Sequence, residues 1–140
     1  SIMDYALMAE NGSLLNTPPT YGIYVAGLVF QWLKRQGGLA GIAAVNAEKA
    51  RILYECVDQS GGFYANPVDP ECRSRMNVPF TLSDPALDAV LLAESRDAGL
   101  VSLKGHKSVG GMRASIYNAV SPEGVRVLVD FMNDFAKRNG

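Results

Sequence analysis

Apolar positions along this chain fall into blocks of different period. Residues 1 to 15 alternate weakly around Asn11-Gly12, a turn signal. From Thr20 to Gln36 the run is apolar nearly all round, including Tyr21, Ile23, Tyr24, Leu28, Phe30, Trp32 and Leu33. A helix with no polar face is one buried on several sides, so this pattern predicts burial against another domain or subunit. Asn16-Thr17-Pro18-Pro19-Thr20 suits its first turn, with Thr17 or Thr20 as the cap, and Gly37-Gly38 ends it.

From residue 39 the periods become those of ordinary half-buried elements. Leu39 to Gln59 reads as an amphipathic helix with Ile42, Ala43, Ala50, Leu53 and Val57 on one stripe and Glu48, Lys49, Arg51 and Glu55 elsewhere. Phe63-Tyr64-Ala65 reads as a short strand closed by Asn66-Pro67. Ser74 to Leu82 is the clearest strand, with Met76, Val78, Phe80 and Leu82 on one face. Pro79 within it points to an edge or a bulge, because proline cannot donate to a ladder. Ser83-Asp84-Pro85 opens a helix with Leu87, Val90 and Leu91 inward and Gly99 as its stop. Leu100 to Leu103 reads as a strand. A second alternating run follows: Met112, Ala114 and Ile116 point one way, Arg113, Ser115 and Tyr117 the other. Ser121-Pro122 opens the last helix, with Val125, Leu128, Val129, Met132 and Phe135 as its buried stripe. Short strands interleaved with helices after residue 38 predict an α+β two-layer sandwich, its short sheet mostly antiparallel. The first 36 residues stand outside that pattern.

Composition narrows the partners. Thirteen basic and fourteen acidic residues among 140 leave a net charge of −1, which points to neither a nucleic acid nor an anionic membrane. Apolar residues make up 48%, enough for a core, and no apolar run reaches the ~18 residues of a membrane span. Cys56 and Cys72 lack CxxC spacing and read as reduced thiols of a cytosolic protein. With one histidine, no metal site is expected. The opening on Ser1-Ile2-Met3-Asp4-Tyr5, without an initiator methionine, suggests a piece of something longer.

The chemistry gathers in Lys104 to Ala119, KGHKSVGGMRASIYNA. Gly105, Gly110 and Gly111 allow a tight turn and a close backbone approach. His106 and Lys107 place donors and positive charge at its tip. Arg113 sits on the strand that follows, off the apolar face, where its planar fork matches a carboxylate. The residues fit an anion site or an ordinary solvated hairpin. Asn16 and Thr17 stand before a helix N-terminus, where unpaired N–H groups favour an anion, although a plain cap explains them too. Ser108 and Ser115 have no triad partners. Asp84 and Asp88 are sufficiently explained by a helix's first turn, and nothing marks Lys104 as a desolvated nucleophile.

SLLNTPPTYGIYVAGLVFQWL, SRMNVPF and GHKSVGGMRASIYNA, in this order, resemble the C-terminal part of the phosphoserine aminotransferases, fold-type I pyridoxal phosphate (PLP) enzymes of class V. The resemblance covers essentially the whole chain. It implies transfer of an amino group between glutamate and 3-phosphohydroxypyruvate on the route to serine. In many bacteria it also implies a related step of pyridoxal phosphate synthesis, in a cytoplasmic homodimer. It implies that Asn16 and Thr17 hold the PLP phosphate of the neighbouring subunit. Arg113 would clamp the substrate α-carboxylate, and His106 and Lys107 would meet the distal anion. Lys107 stands where the family often has arginine, so a planar fork becomes a point charge.

The family's Schiff-base lysine, ring-stacking aromatic residue and aspartate at the ring nitrogen would lie upstream. None of Lys34, Lys49, Lys104, Lys107 or Lys137 stands in the matching context, so no catalytic residue is expected here. By itself the chain should hold PLP weakly or not at all and should not transaminate. Residues 1–36 would end the large domain and bridge to a small domain at 37–140. The uncovered apolar helix should then self-associate. Two other readings remain at this stage: a stand-alone ligand-binding or regulatory module, and a dimerisation domain built on residues 20–36.

Overall fold

A stripe of apolar side chains on helix α3 (Gly38–Asp58) sets the frame for everything after it: Ile42, Ala50, Leu53 and Val57 are all buried. The computed structural model describes residues 3–140; Ser1 and Ile2, where the weakly alternating stretch begins, lie outside the described residues. Two compact units divide the chain, Ser1–Leu39 and Ala40–Gly140.

The first unit holds helix α1 (Tyr5–Glu10) and helix α2 (Thr20–Arg35). The weak alternation before Asn11 yields a helical turn because Asp4 caps it: its carboxylate accepts from the Ala6 and Leu7 N–H groups at 3.1 and 3.3 Å. Gly12 and Ser13 then turn with positive φ, at the predicted site. Helix α2 covers the expected span, but neither Thr17 nor Thr20 caps it. Pro19 holds the cap position without a side-chain bond, and the Thr20 hydroxyl instead donates back to the Pro18 carbonyl at 3.2 Å.

The second unit has a three-stranded antiparallel sheet in the order β1-β2-β3, formed by Tyr64–Ala65, Asn77–Leu82 and Met112–Ser115. Val78, Phe80 and Leu82 on β2 and Met112 and Ala114 on β3, with Ile116 just beyond, turn one face into the core. Helix α3 meets them with Leu53, Tyr54 and Val57, helix α4 (Asp88–Asp97) with Leu91, and helix α5 (Pro122–Asn139) with Val125, Leu128, Met132 and Phe135. This is the α+β sandwich expected, helices on one side of a small sheet. The other sheet face carries Asn77, Pro79, Thr81, Arg113 and Ser115, none of them buried.

Several local expectations are revised. Strand β2 starts at Asn77 rather than Ser74, because the Ser74 hydroxyl accepts from the Met76 and Asn77 N–H groups and bends the chain there. Leu100 to Leu103 forms no strand: Ser102 takes φ 65°, which breaks an extended run, and only Lys104 bridges Met112. Strand β2 is central, contrary to the edge that Pro79 suggested. The proline is tolerated because its register partner is Arg113, whose N–H points away to the Leu103 carbonyl at 2.7 Å. Pro79 therefore faces the β1 side, where pairing ends with Ala65↔Thr81 and no donor is missed. The Asn66 amide takes the Pro79 carbonyl at 2.6 Å instead. Ala43 and Val90 are exposed rather than inward, since α4 buries the Leu91–Ser95 line and α3 a stripe through Asn46 and Lys49. Val129 is half-buried at the edge of the α5 stripe.

Candidate functional site

The glycine-rich run closes on itself through its backbone. Gly105 N–H donates to the Gly111 carbonyl at 2.8 Å, and the His106 carbonyl accepts from Val109 and Gly110 at 2.9 and 2.8 Å. A Cβ at Gly105 would sit 2.1 Å from the Gly110 carbonyl oxygen, so the narrow base of this hairpin requires glycine. Gly111 has φ +57°, and a Cβ there would lie 2.7 Å from the Phe80 carbonyl oxygen. The loop is thus pressed against β2 as well as against itself.

The tip presents cationic and donor groups to solvent. His106 and Lys107 are both exposed. The His106 Nδ1 accepts from the Ser108 N–H at 3.3 Å and lies 2.6 Å from the Ser108 hydroxyl. With Nδ1 serving as acceptor, a neutral ring carries its proton on Nε2, which leaves a donor for an anion. Ser108 thus holds the histidine ring from both its backbone N–H and its hydroxyl.

Arg113 follows on β3, on the face opposite Met112 and Ala114. Its Nε is buried and has no hydrogen-bond partner, and no carboxylate pairs with its guanidinium among the described residues. Arg51, Arg73, Arg126 and Arg138 pair with carboxylates, whereas Arg113, like Arg35, Arg75 and Arg96, has no such pair among the described residues. Beside Arg113, the Ser115 hydroxyl donates to Asn77 Oδ1 at 3.1 Å and Asn77 Nδ2 donates to the Tyr117 hydroxyl at 3.1 Å. A half-buried guanidinium without a protein partner, next to a self-satisfied polar row, is suited to an incoming carboxylate.

His106, Lys107 and Arg113 thus lie on one glycine-rich loop and the strand after it, in the second unit, with Arg113 on the face away from the core that the alternation predicted. Asn16 and Thr17 lie in the first unit, exposed, ahead of a helix N-terminus that no side chain caps. Their amide and hydroxyl groups suit a phosphate, but the turn adds few backbone donors, since Pro18 and Pro19 have no N–H and the Thr20 N–H is bonded to the Pro18 carbonyl at 2.7 Å. Asp84 does what its position suggested, accepting from the Ala86 N–H at 2.9 Å. Cys56 and Cys72 are free thiols, and no helix among the described residues is long and apolar enough to cross a membrane.

The periodicity reading missed Lys49. This side chain is 0% exposed, and its ammonium donates to the carbonyls of Ile116, Tyr117 and Val120 at 3.0, 2.9 and 2.9 Å. Burial pushes its pKa below the ordinary lysine value. Asn46, one turn earlier and also buried, donates to Asn118 Oδ1 at 2.7 Å. Residues 42, 46, 49, 50, 53 and 57 form one helical stripe, but a lysine on such a stripe ordinarily turns its head out to water, so spacing alone does not mark it as buried.

Residues 1–128 match the family described as aminotransferase class-V. Phosphoserine aminotransferase of Acidithiobacillus ferrooxidans (strain ATCC 53993 / BNL-5-31) is 59% identical over 140 residues, 100% of this chain and 39% of that protein. The phosphoserine aminotransferase of Aromatoleum aromaticum is 62% identical over 140 residues, 100% of this chain and 38% of its own length. The solved phosphoserine aminotransferase from Bacillus circulans subsp. alkalophilus superposes with a TM-score of 0.91 at 46% identity, over 97% of this chain and 38% of that one. A PLP-bound phosphoserine aminotransferase from Trichomonas vaginalis gives 0.84 at 44% identity, over 94% and 38%. The chain thus spans 38–39% of the length of these curated relatives.

Proposed function

The chain belongs to the class-V aminotransferases, and on that premise we propose that it is the C-terminal part of a phosphoserine aminotransferase. The full enzyme moves an amino group between glutamate and 3-phosphohydroxypyruvate, giving O-phosphoserine and 2-oxoglutarate. That step places it in the cytoplasmic synthesis of serine and, through a homologous phosphorylated 2-oxo acid, in that of pyridoxal phosphate. The single observation that carries this reading is Arg113, a partly buried guanidinium on a rigid strand whose Nε has no partner in its own unit.

Each residue then has one task. Arg113 binds the α-carboxylate, which the amino acid and the oxo acid share. His106 Nε2 and the Lys107 ammonium meet the far anion, phosphate in one substrate and γ-carboxylate in the other. Asn16 and Thr17 hold the cofactor phosphate, contributed across a homodimer interface. PLP, when bound, supplies the electron sink for the transfer, and the lysine that binds it covalently belongs to a part of the enzyme outside these residues. Residues 1–36 end the large domain and lead through α2 to the small domain at 37–140. The division of the chain into two units supports this partition. An apolar helix bridging two domains also accounts for the exposed Tyr21, Ile23 and Phe30.

The test is Arg113→Ala in the full-length enzyme. Losing a charge-assisted hydrogen bond to each substrate costs roughly 1.5–3 kcal/mol in kcat/KM, for glutamate and for 3-phosphohydroxypyruvate alike. Unchanged kcat/KM for both would remove Arg113 from the site.

A further inference from the structure

We infer that Lys49 is a positioning residue for Arg113, acting through the segment that ends the Arg113 strand. The inference rests on the reading above that Arg113 binds the α-carboxylate. Strand β3 is four residues long, with a continuous partner only on the β2 side. On its outer edge a single bridge, Lys104↔Met112, and the Arg113 N–H to Leu103 carbonyl bond are what flank it. A ribbon this short, paired along one edge, needs both ends held if a side chain in its middle is to keep one direction.

The glycine hairpin holds the leading end, through Gly105 N–H to the Gly111 carbonyl at 2.8 Å. Lys49 holds the trailing end. Ile116 donates its N–H to the Met76 carbonyl at 2.8 Å, and its own carbonyl accepts from Lys49 Nζ at 3.0 Å. The same ammonium takes the Tyr117 and Val120 carbonyls, both at 2.9 Å, across the turn closed by Val120 N–H to Tyr117. All three ammonium donors are used, and no carboxylate is among its partners. Asn46 adds a second tie from the same helix, to Asn118 within the same turn. A buried ammonium without a counter-ion carries a heavy desolvation cost that an apolar side chain of equal length would avoid. What it supplies in exchange is a fixed point for three carbonyls at once, the first of them three residues past Arg113.

Displacing Arg113 weakens its grip on a group that both substrates carry, in the ground state and the transition state alike. That loss raises KM with kcat little changed. In the full-length enzyme, Lys49→Met keeps an unbranched side chain only one atom shorter and removes the donors, and Asn118→Ala loosens the same turn at a half-exposed position. Lys49→Met should raise KM for glutamate and for 3-phosphohydroxypyruvate by a common factor of roughly tenfold, within the range that small misplacements produce. Asn118→Ala should raise both by a smaller common factor. A folded Lys49→Met enzyme that loses thermal stability with both KM values unchanged overturns the inference. If Lys49→Met does not fold, unchanged KM values in Asn118→Ala overturn it. Wild-type enzyme without transamination, or Arg113→Ala without effect, would instead sink the functional reading itself.

Discussion

Helices α2 and α5 are close in length, sixteen and eighteen residues, and both are rich in large apolar side chains. Helix α5 gathers Val125, Leu128, Met132 and Phe135 into a single stripe, and all four are buried in the core of the second unit. Helix α2 is apolar along nearly all its length and buries none of its residues; Tyr21 is 81% and Phe30 63% exposed. Periodicity, then, tells where a helix meets its own core. A helix whose large apolar side chains stay uncovered signals a demand for burial that its own unit does not meet. The second unit is complete in packing, and the first presents surface.

The sharpest test of that contrast removes one ring from each helix. Phe135→Ala should cost about 3–5 kcal/mol of unfolding free energy in urea, the usual penalty for a large cavity in a packed core. Phe30→Ala should stay within about 0.5 kcal/mol and should reduce concentration-dependent self-association in light scattering. Equal losses for the two would break the comparison, because they would mean that α2 has a core of its own.

Alkaline unfolding probes the core side of the contrast. Tyr64 is buried, and its hydroxyl donates to the Met132 carbonyl at 2.9 Å. Burial, with a smaller contribution from charge on the Cys56 thiolate, raises its pKa well above the ordinary tyrosine value of about 10. Above that value the unfolded chain releases a proton that the fold retains, so stability falls as pH rises. The slope from this one group is at most about 1.4 kcal/mol per pH unit. Lys49, whose pKa is lowered by burial, has the opposite sign: its contribution to stability grows as pH rises toward the ordinary lysine value. Tyr64→Phe should therefore flatten the alkaline decline measured by pH-jump denaturation, and an unaltered slope would show that another group drives it.

The smallest effect belongs to the outward face of α3. Arg51 pairs with Glu48 and Glu55, each at 2.7 Å and about half exposed. Arg51→Ala should cost no more than about 0.5 kcal/mol in the same urea titration, the yield of a solvated helical ion pair. A loss as large as that of Phe135→Ala would place this face in an interface.

Much of the site could be read directly from residue order. The alternation over 112–117 put Arg113 on the face away from the core, because successive side chains of a strand point to opposite faces. The spacing of Gly105, Gly110 and Gly111 marked a tight turn, and the helical spacing of Val125, Leu128, Met132 and Phe135 marked the buried stripe of α5. The readings that failed did so where a distant partner decided the outcome. Leu100 to Leu103 is apolar enough for a strand, yet Ser102 turns left-handed and a single bridge to Met112 remains. Pro79 is at home in a central strand only because β1 stops two residues into its pairing.

What the amino-acid order determined by itself is the direction of each local element: which side is apolar, where a turn closes, where a helix ends. Those choices depend on neighbours within one turn or two strand positions. What the tertiary structure alone decided is which polar groups enter the core. Lys49 is buried because carbonyls 67 to 71 residues away converge on its ammonium, and no property of α3 in isolation shows that they will. A charge leaves water only where fixed dipoles replace it, and those dipoles arrive with the folding of the rest of the chain.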